Sequence, residues 1–406
     1  MTIELDIVRL GAQSDGVAET ADGLRFVPFA LPGERVRLAG EGLPEVVSAA
    51  SPDRTAPVCR HFGVCGGCVA QHMRDPLYAE WKRGIVTEAL RQHGLQAEVA
   101  ALRRLPLASR RRAVFSAARA RDGSLQLGYQ RRKSNELVDI QECPILEPAI
   151  VARLHALRSV AASMPGSDMR MAVLATRNGL DIALNQAANR ASPTTVAALA
   201  KTSAEHQLAR IAINGEIAVE HARPILSFAS VDVVPPPGAF VQAAQPAEEE
   251  ITRLVLEAVG PAKRVADLFC GIGTFTLPLA RKARVLASDG DKAALAALGQ
   301  AAARAQGLKP IEIKHRDLFR EPLSAQELRG YDAVVFDPPR AGARAQAEKL
   351  VRSTVPLLVA VSCDPGTLAR DLRVLVDGGY AIEAVTPIDQ FLYSAHVEVV
   401  AVLRRR

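Results

Sequence analysis

Two side chains near the end of the chain have the types and positions needed for covalent chemistry on an electrophilic ring carbon. Cys363 comes just after the apolar run LLVAV, and Glu398 interrupts a second apolar run, VEVVAVL. A thiolate can add to an electrophilic carbon, and a carboxylate can later remove a proton from the adduct. A carboxylate in an apolar strand is costly unless it is paired or used. The pattern predicts a nucleophile and a base, whereas the alternative for Cys363 is a buried structural cysteine.

These residues lie in the part of the chain with the most regular alternation of elements. The breaker Pro-Pro-Pro-Gly at 235–238 is followed by alternating strand and helix patterns up to the final residues. Such alternation predicts an α/β fold with a parallel sheet covered by helices on both faces. Ligands of these sheets bind at the carboxyl ends of the strands, which is where Cys363 is expected.

A glycine-rich loop closes the first strand of this predicted sheet. The loop DLFCGIGTF contains Asp267, Gly271 and Gly273, and two further acids, Asp289 and Asp317, end the next two strands. The glycines allow close approach of a ligand, and an acid after the second strand suits ribose hydroxyls. A dinucleotide site is the alternative, but the third glycine of its fingerprint is missing. The pattern favours S-adenosylmethionine (SAM) and a class I methyltransferase domain.

A third strand end carries the sequence Asp-Pro-Pro-Arg at 337–340. Enzymes that methylate exocyclic amines place an aromatic residue after Asp-Pro-Pro, and Arg340 stands there instead. Pyrimidine C5 becomes nucleophilic only after something adds to C6, which is the step that Cys363 could perform. Glu398 could then remove the C5 proton. Cys270 is the rival nucleophile, but a small buried side chain is sufficient at its place in the glycine-rich loop.

Four other cysteines have the spacing of a metal site. Three are clustered, and the fourth lies far downstream: Cys59, Cys65, Cys68 and Cys143. Three clustered thiolates and one remote thiolate favour an iron–sulfur cluster, because structural zinc more often uses two separated pairs. Zinc is the second reading and unbound thiols are the third. In a long intracellular chain, a disulfide framework is disfavoured.

The net charge of +6 is distributed unevenly over the 406 residues. Residues 101–135 carry a net charge of +9, whereas the rest of the chain carries −3. The basic side chains of this window are Arg103, Arg104, Arg110, Arg111, Arg112, Arg119, Arg121, Arg131, Arg132 and Lys133. Such segregation suits a polyanion, although a charge run can also be a solvated face.

Composition and local pattern divide the chain into three predicted domains. Residues 1–48 read as short strands of a small β-barrel, residues 49–234 as a mixed α+β domain, and residues 235–406 as the α/β domain. A composition of 49% hydrophobic and 23% charged residues excludes a wholly disordered chain. Neither a membrane span nor a signal peptide is evident, so a cytoplasmic protein is expected.

The motifs above resemble, in order and spacing, those of the RNA uracil-C5 methyltransferases, and the similarity covers essentially the whole chain. The matching segments are DLFCGIGTF, DPPR, SC-x-P-x-T and HVE in the α/β domain, with GVAETADGLRFVPFALPGERV, CRHFGVCGGCVAQH and QECPIL before it. The resemblance implies Cys363 as nucleophile, Glu398 as base and Asp337 as an active-site aspartate near the target uracil. It implies SAM contacts from Gln242, Asp267, Gly271, Gly273, Asp289, Asp317 and Asp337.

The same resemblance implies an N-terminal TRAM domain, an OB-like RNA-binding barrel, and a 4Fe–4S cluster on the four spaced cysteines. A chain with both features is similar to the branch that acts on 23S ribosomal RNA. Transfer RNA is the alternative substrate, and no obligatory protein partner is expected. Two rivals from other classes remain: an RNA-binding protein with a relict methyltransferase fold, and a zinc protein with a dinucleotide-binding domain.

Overall fold

The computed structural model describes residues 3–38, 44–120, 122–164, 168–185 and 191–406. Arg121 of the basic window therefore lies outside the described residues. The first strands form two antiparallel sheets of three strands each, in the orders β1-β5-β6 and β2-β3-β4. Their bounds are β1 (Ile3–Asp6), β2 (Arg9–Leu10), β3 (Gly16–Thr20), β4 (Gly23–Val27), β5 (Arg35–Leu38) and β6 (Glu45–Val46).

A helix and a larger sheet follow. The sheet has seven strands in the order β13-β12-β11-β10-β7-β8-β9, and only the β11–β12 pair is parallel. The elements are α1 (Asp75–Gln92), β7 (Arg112–Arg119), β8 (Leu125–Gln130), β9 (Leu137–Asp139), α2 (Pro148–Val151), α3 (Leu154–Ala162), β10 (Asp168–Thr176), β11 (Gly179–Asn185), α4 (Pro193–His206), β12 (Leu208–Ile213) and β13 (Glu216–Glu220). A short hairpin, β14 (Leu226–Phe228) and β15 (Val231–Val233), ends this part.

The predicted alternation of strands and helices after residue 238 is confirmed, and it builds a mixed α/β sheet. The elements are α5 (Gln245–Val259), β16 (Arg264–Leu268), α6 (Thr276–Ala280), β17 (Arg284–Asp289), α7 (Lys292–Arg304), β18 (Ile311–His315), β19 (Ala333–Phe336), α8 (Arg344–Val351), β20 (Leu357–Ser362), α9 (Pro365–Asp377), β21 (Tyr380–Ile388) and β22 (Glu398–Arg405). The strand order is β18-β17-β16-β19-β20-β22-β21. The first five strands are parallel, and β22 runs antiparallel to both of its neighbours.

Helix α1 lies in the sequence range of the predicted central domain but packs on the C-terminal sheet layer. Its buried Val86 and Leu90 share one apolar core with Leu372 and Leu375 of α9 and with Tyr380 of β21. Burial of such side chains stabilises the contact by roughly 1.5–3 kcal/mol each relative to exposure. The helix is therefore fixed against the sheet that ends in Cys363 and Glu398. No helix in the described ranges has the length and apolarity to cross a membrane.

Candidate active site

The predicted nucleophile and base lie on neighbouring strands at one edge of the C-terminal sheet. Ser362, the last residue of β20, is paired with Val399 of β22, so Cys363 and Glu398 follow at the next positions of the two strands. Because β22 runs antiparallel to β20, it begins at the edge where β20 ends. Asp337 follows β19, the strand on the other side of β20. The structure thus brings together these three sequence-predicted residues.

A chain of hydrogen bonds joins the two carboxyl groups of this edge. The amide nitrogen of Gln242 donates to Asp337 over 2.9 Å. The amide nitrogen of Gln390 donates to both Gln242 Oε1 and Glu398 Oε2, each over 2.7 Å, and its oxygen accepts from the backbone of Ala243. Gln390 is a residue that the sequence analysis missed. The only signal would have been a polar pair, Asp-Gln, directly after an apolar strand pattern.

The two carboxyl groups resist ionisation together. Burial raises the pKa of Glu398 well above its usual value, and the charge of Asp337 raises it further, while the hydrogen bond from Gln390 lowers it. Burial likewise raises the pKa of Asp337, against the hydrogen bond from Gln242. Two neighbouring carboxylates in a low-dielectric site repel each other. A buried acid with a raised pKa is a suitable proton acceptor near neutral pH.

The thiol of Cys363 is half-buried beside one cation. Burial, together with the charges of Glu398 and Asp337, raises the pKa of Cys363 to about 11. Arg340 lowers the same pKa through its charge and a hydrogen bond. Arg340 also meets His396 Nε2 at 3.2 Å. The arginine that follows Asp-Pro-Pro is therefore the group that favours a thiolate at this position.

Asp364, next to the thiol, has a structural role. Its side chain accepts a hydrogen bond of 2.9 Å from the backbone N–H of Thr367 and so caps the first turn of α9. Such an N-cap stabilises a helix by about 1 kcal/mol. The cap holds the turn that carries Cys363 at the end of β20.

The glycine-rich loop has the open backbone that a bound nucleotide-like ligand needs. Gly271 has φ of +52°, and a Cβ placed there would meet no atom within 4 Å. At Gly273, with φ of +96°, a Cβ would lie 2.5 Å from Leu298 Cδ1, so a side chain is excluded. Asp289 accepts the backbone N–H of Gly271 over 2.8 Å and thereby fixes the loop against the end of β17.

Two acids flank this loop at different depths. Asp267 is fully buried, and burial raises its pKa to about 7. Its Oδ2 accepts from Thr276, whereas its Oδ1 has no partner among the described residues. Asp317 is half-exposed beyond β18 and accepts the N–H of Phe319 over 3.0 Å. The rings of Phe319 and Phe269 stand 5.4 Å apart beside it, which leaves an aromatic edge for a planar group.

The four spaced cysteines share one region. Burial, together with the charges of Cys143, Cys65 and Cys59, raises the pKa of Cys68 to about 12. The segment around Cys59 meets the segment before Cys143 through backbone-to-side-chain hydrogen bonds of 3.3–3.4 Å. In the described ranges, no group of three or more His, Cys, Asp or Glu side chains is placed to hold a metal ion.

The basic window contains fewer free charges than its composition indicates. Five of its arginines form ion pairs with acids outside the window, namely Arg103 with Glu250, Arg104 with Asp75, Arg111 with Glu248, Arg131 with Glu136 and Arg132 with Asp15. Within the described part of the chain, four other members form no ion pair: Arg110, Arg112, Arg119 and Lys133. Arg110 lies 5.9 Å over the Phe391 ring, and Arg112 lies 5.4 Å over the exposed Phe240 ring. Phe391 directly follows Gln390, and Phe240 lies two residues before Gln242, so both arginines contact segments that carry residues of the site.

Comparison with known proteins places this fold in a group. The family model described as tRNA (Uracil-5-)-methyltransferase matches residues 236–406. A Rhizobium meliloti protein named as an uncharacterized RNA methyltransferase is 51% identical, with 100% of this chain and 99% of the relative covered. The 23S rRNA (uracil(1939)-C(5))-methyltransferase of Chromohalobacter salexigens is 34% identical, with 99% and 89% covered.

Among solved structures, the tRNA (uracil-54, C5)-methyltransferase of Pyrococcus abyssi, in complex with S-adenosyl-L-homocysteine, matches with a TM-score of 0.74 at 24% identity. The match covers 99% of this chain and 100% of the other, so the two share their fold over the full length. The sequence relatives cover the whole chain at identities well above those of chance similarity. The chain belongs to the RNA uracil-C5 methyltransferase family.

Proposed function

We propose that this protein transfers a methyl group from SAM to C5 of a uracil in RNA, and that 23S ribosomal RNA is its substrate. The observation that carries the proposal is the placement of Cys363 and Glu398 at facing strand ends, with Asp337 on the adjoining strand. Nucleophile, proton acceptor and a second carboxyl group thus surround one space at the sheet edge. Membership of the uracil-C5 methyltransferase family supports this use of the site.

The reaction follows from the chemistry of these side chains. The Cys363 thiolate attacks C6 of the uracil, forms the S–C6 bond and moves the C5–C6 electron pair onto C5 and the O4 carbonyl. When bound, SAM supplies an electrophilic methyl group that C5 attacks. Glu398 then takes the C5 proton, the C–H electron pair restores the C5–C6 double bond, and the C6–S bond breaks to return the thiolate. Asp337 lies beside the ring that undergoes these steps.

The residues present fit SAM. The open backbone at Gly271 gives room for the methionine part, and the exclusion of a side chain at Gly273 keeps the loop close to α7. Asp289 at the end of β17 is placed for the ribose hydroxyls. Asp317, beside the aromatic edge, is placed for the adenine amino group. The remaining proposed contacts come from Gln242, Asp267 and Asp337.

We propose that two domains hold the RNA: an OB-like TRAM barrel formed by residues 1–48 and a central domain formed by residues 49–234. The catalytic domain consists of residues 235–406. Arg110 and Arg112 support this arrangement, because they form no ion pair among the described residues, contact segments next to Gln390 and Gln242, and can offer charge to phosphates. A uracil must leave its stack to reach Cys363, at a cost of a few kcal/mol. Phosphate contacts from these domains offset that cost.

The choice of RNA is tested by methyl transfer in vitro. Purified protein with labelled SAM is incubated with unmodified 23S rRNA and with unmodified tRNA, and 5-methyluridine is mapped in each. We expect label in 23S rRNA at a single uracil C5. Label confined to tRNA would show that tRNA, not 23S rRNA, is the substrate of the same reaction. No label at uracil C5 in either RNA would refute the proposal.

The four spaced cysteines are proposed to hold a 4Fe–4S cluster. Their number and the mutual effect of their charges support this, because a four-iron cluster accepts four thiolates at a wider spacing than one tetrahedral ion. The cluster would connect Cys59, Cys65 and Cys68, at the start of the central domain, to Cys143, which follows the basic window. The proposed methyl transfer needs no electron donor or acceptor, so we propose a structural role for the cluster.

We expect anaerobically purified protein to contain about four iron atoms per chain and a broad absorption near about 400 nm. Cys143→Ser should lose most of the iron and this absorption, because it removes the ligand that closes the site. Cys270→Ser is the matched control, since Cys270 lies in the SAM loop and should leave the iron content unchanged. Protein that carries zinc and has no visible absorption would contradict the cluster.

The rate should increase with pH, because both reacting groups act in their deprotonated forms and both have raised pKa values. We expect kcat/KM for methyl transfer to rise between about pH 6 and about pH 9, by up to about tenfold per unit. Arg340→Met removes the charge that lowers the pKa of Cys363, so its profile should lie at higher pH. A rate that falls with pH over this range would contradict the assignment.

A further inference from the structure

The connection 389–397 joins β21 to β22 and leads directly into Glu398. One side chain of helix α1 binds its backbone at two points and one of its carboxylates at a third. The ammonium group of Lys82 lies 3.1 Å from the Asp389 carboxylate and donates to the carbonyl oxygens of Phe391 and His396. Lys82 and Asp389 both have fully buried side chains. Both ends of the connection are therefore bound to the same lysine.

A second residue of α1 supports the same connection. Tyr78, one turn before Lys82, donates its hydroxyl to Asp389 over 2.9 Å. The same hydroxyl oxygen accepts the backbone N–H of Tyr393 over 2.8 Å. Helix α1 itself is held by the apolar core that it shares with α9 and β21. The connection is thus attached to a rigid element and not to mobile solvent-exposed groups.

A buried ion pair is a poor source of stability. The cost of removing two charges from water offsets most of their attraction, and apolar residues of similar size often do as well. Lys82 nevertheless stands in an otherwise apolar helix face with Val86 and Leu90. What a lysine supplies and an apolar residue cannot supply is three hydrogen bonds at defined points. The geometry points to placement of the connection as its role.

The connection carries side chains that adjoin Glu398, the proposed general base. Gln390, the residue after Asp389, donates to Glu398 Oε2, and His396 lies two residues before Glu398. In contrast, the thiol of Cys363 is placed by β20 and by the cap of α9, and the glycine-rich loop is placed by β16 and β17. A shift of the connection therefore acts on Glu398 through Gln390, whereas the backbone of Cys363 and of the glycine-rich loop is held by other elements.

We propose that Lys82 and Asp389 are positioning residues that hold the connection 389–397 so that Glu398 stays aligned with the C5 proton. The proposal rests on the proposed function. It predicts a step-specific defect. Formation of the Cys363 adduct and methyl transfer precede proton removal, so they should proceed normally when the pair is broken. Release of the methylated RNA should become slow.

The test separates these steps in single-turnover reactions of full-length protein with 23S rRNA and labelled SAM. For Lys82→Met we expect adduct formation within about twofold of wild type and release slowed about 100-fold, the effect of roughly 1 Å of misplacement. Asp389→Asn keeps an acceptor for Tyr78 and serves as the second variant if Lys82→Met does not fold. Asp389 also lies 3.4 Å from Arg104, which has Asp75 as a second partner. In the Lys82→Met/Asp389→Asn double variant the charges of Lys82 and Asp389 are both gone and Arg104 keeps Asp75, but release should remain slow because the bonds to Phe391 and His396 are still missing.

The matched control is Asp181→Asn, which breaks another buried pair, between Asp181 and Arg210 in the central sheet, at 2.7–2.8 Å. It should lower the melting temperature but release RNA at the wild-type rate. Release at the wild-type rate from Lys82→Met and Asp389→Asn overturns the positioning role, as does an equal loss of adduct formation and release. Glu398→Gln is the reference. If it also forms no adduct, the proposed function fails and the positioning role fails with it.

Discussion

Replacement of Cys363 by alanine should abolish methyl transfer while leaving SAM bound. Without a bond from sulfur to C6, the C5 carbon of uracil is not nucleophilic enough to attack a methyl group, so no slower route replaces the lost one. Loss of a nucleophile typically lowers kcat by on the order of 10⁴-fold or more. Because the thiol is half-buried at a strand end and carries no structural hydrogen bond of the cap, the fold should persist.

The measurement is transfer of labelled methyl to 23S rRNA, together with the dissociation constant for S-adenosyl-L-homocysteine. Cys270→Ala is the matched variant, because Cys270 is the rival nucleophile and burial raises its pKa well above the usual range. We expect the Cys270 variant to turn over and the Cys363 variant to bind the cofactor product without turnover. Methylation by the Cys363 variant at a rate within tenfold of wild type would remove Cys363 from the mechanism.

The sequence predicts much of the catalytic fold because its signals are local. The pattern of residues 291–305 predicts a helix, and a helix is found at Lys292–Arg304, with the Asp291 side chain accepting the N–H groups of its first turn. Strand ends were similarly marked by the change from apolar runs to acids, at Asp289 and Asp337. The pattern of apolar residues and caps specifies where an element starts and stops.

What the sequence could not predict depends on contacts between distant residues. Gln390 becomes part of the site only because β22 inserts between β20 and β21, which no local pattern specifies. The basic window is another example, since Arg111 forms an ion pair with buried Glu248 and Arg132 forms one with Asp15. Composition counts charges, but only tertiary structure determines which are paired.

The packing of α1 is a third example. The pattern of residues 77–92 predicts a helix, and a helix is present at Asp75–Gln92. The pattern does not specify which sheet the apolar face meets, and it meets α9 and β21 of the C-terminal layer. This long-range contact is what brings Lys82 to the connection before Glu398. The contact between Lys82, in the segment after the cysteine motif, and the connection before Glu398 therefore emerges only from the fold.

Replacement of Glu398 by glutamine should trap RNA on the enzyme. Glutamine has nearly the same shape and keeps an oxygen that can accept the hydrogen bond from Gln390, so the site should stay intact. It cannot take the C5 proton at any ordinary pH. The Cys363 adduct should therefore form and receive its methyl group, but the C6–S bond should not break. Turnover is expected to fall by about 10²–10⁴-fold, the usual contribution of a placed base.

The trapped species is measured as protein that migrates with labelled RNA on a denaturing gel and that is digested by nuclease to a shifted peptide containing Cys363. The Cys363→Ala/Glu398→Gln double variant should give no such species, because the bond to C6 cannot form. Gln390→Leu tests the link to the base independently, since it leaves Glu398 ionisable but removes its hydrogen-bond donor. An intermediate rate of release from Gln390→Leu would indicate that Gln390 and Glu398 act together in proton removal. Ready turnover by Glu398→Gln would assign the proton to another acceptor, for which Asp337, whose charge acts on Glu398, is the candidate.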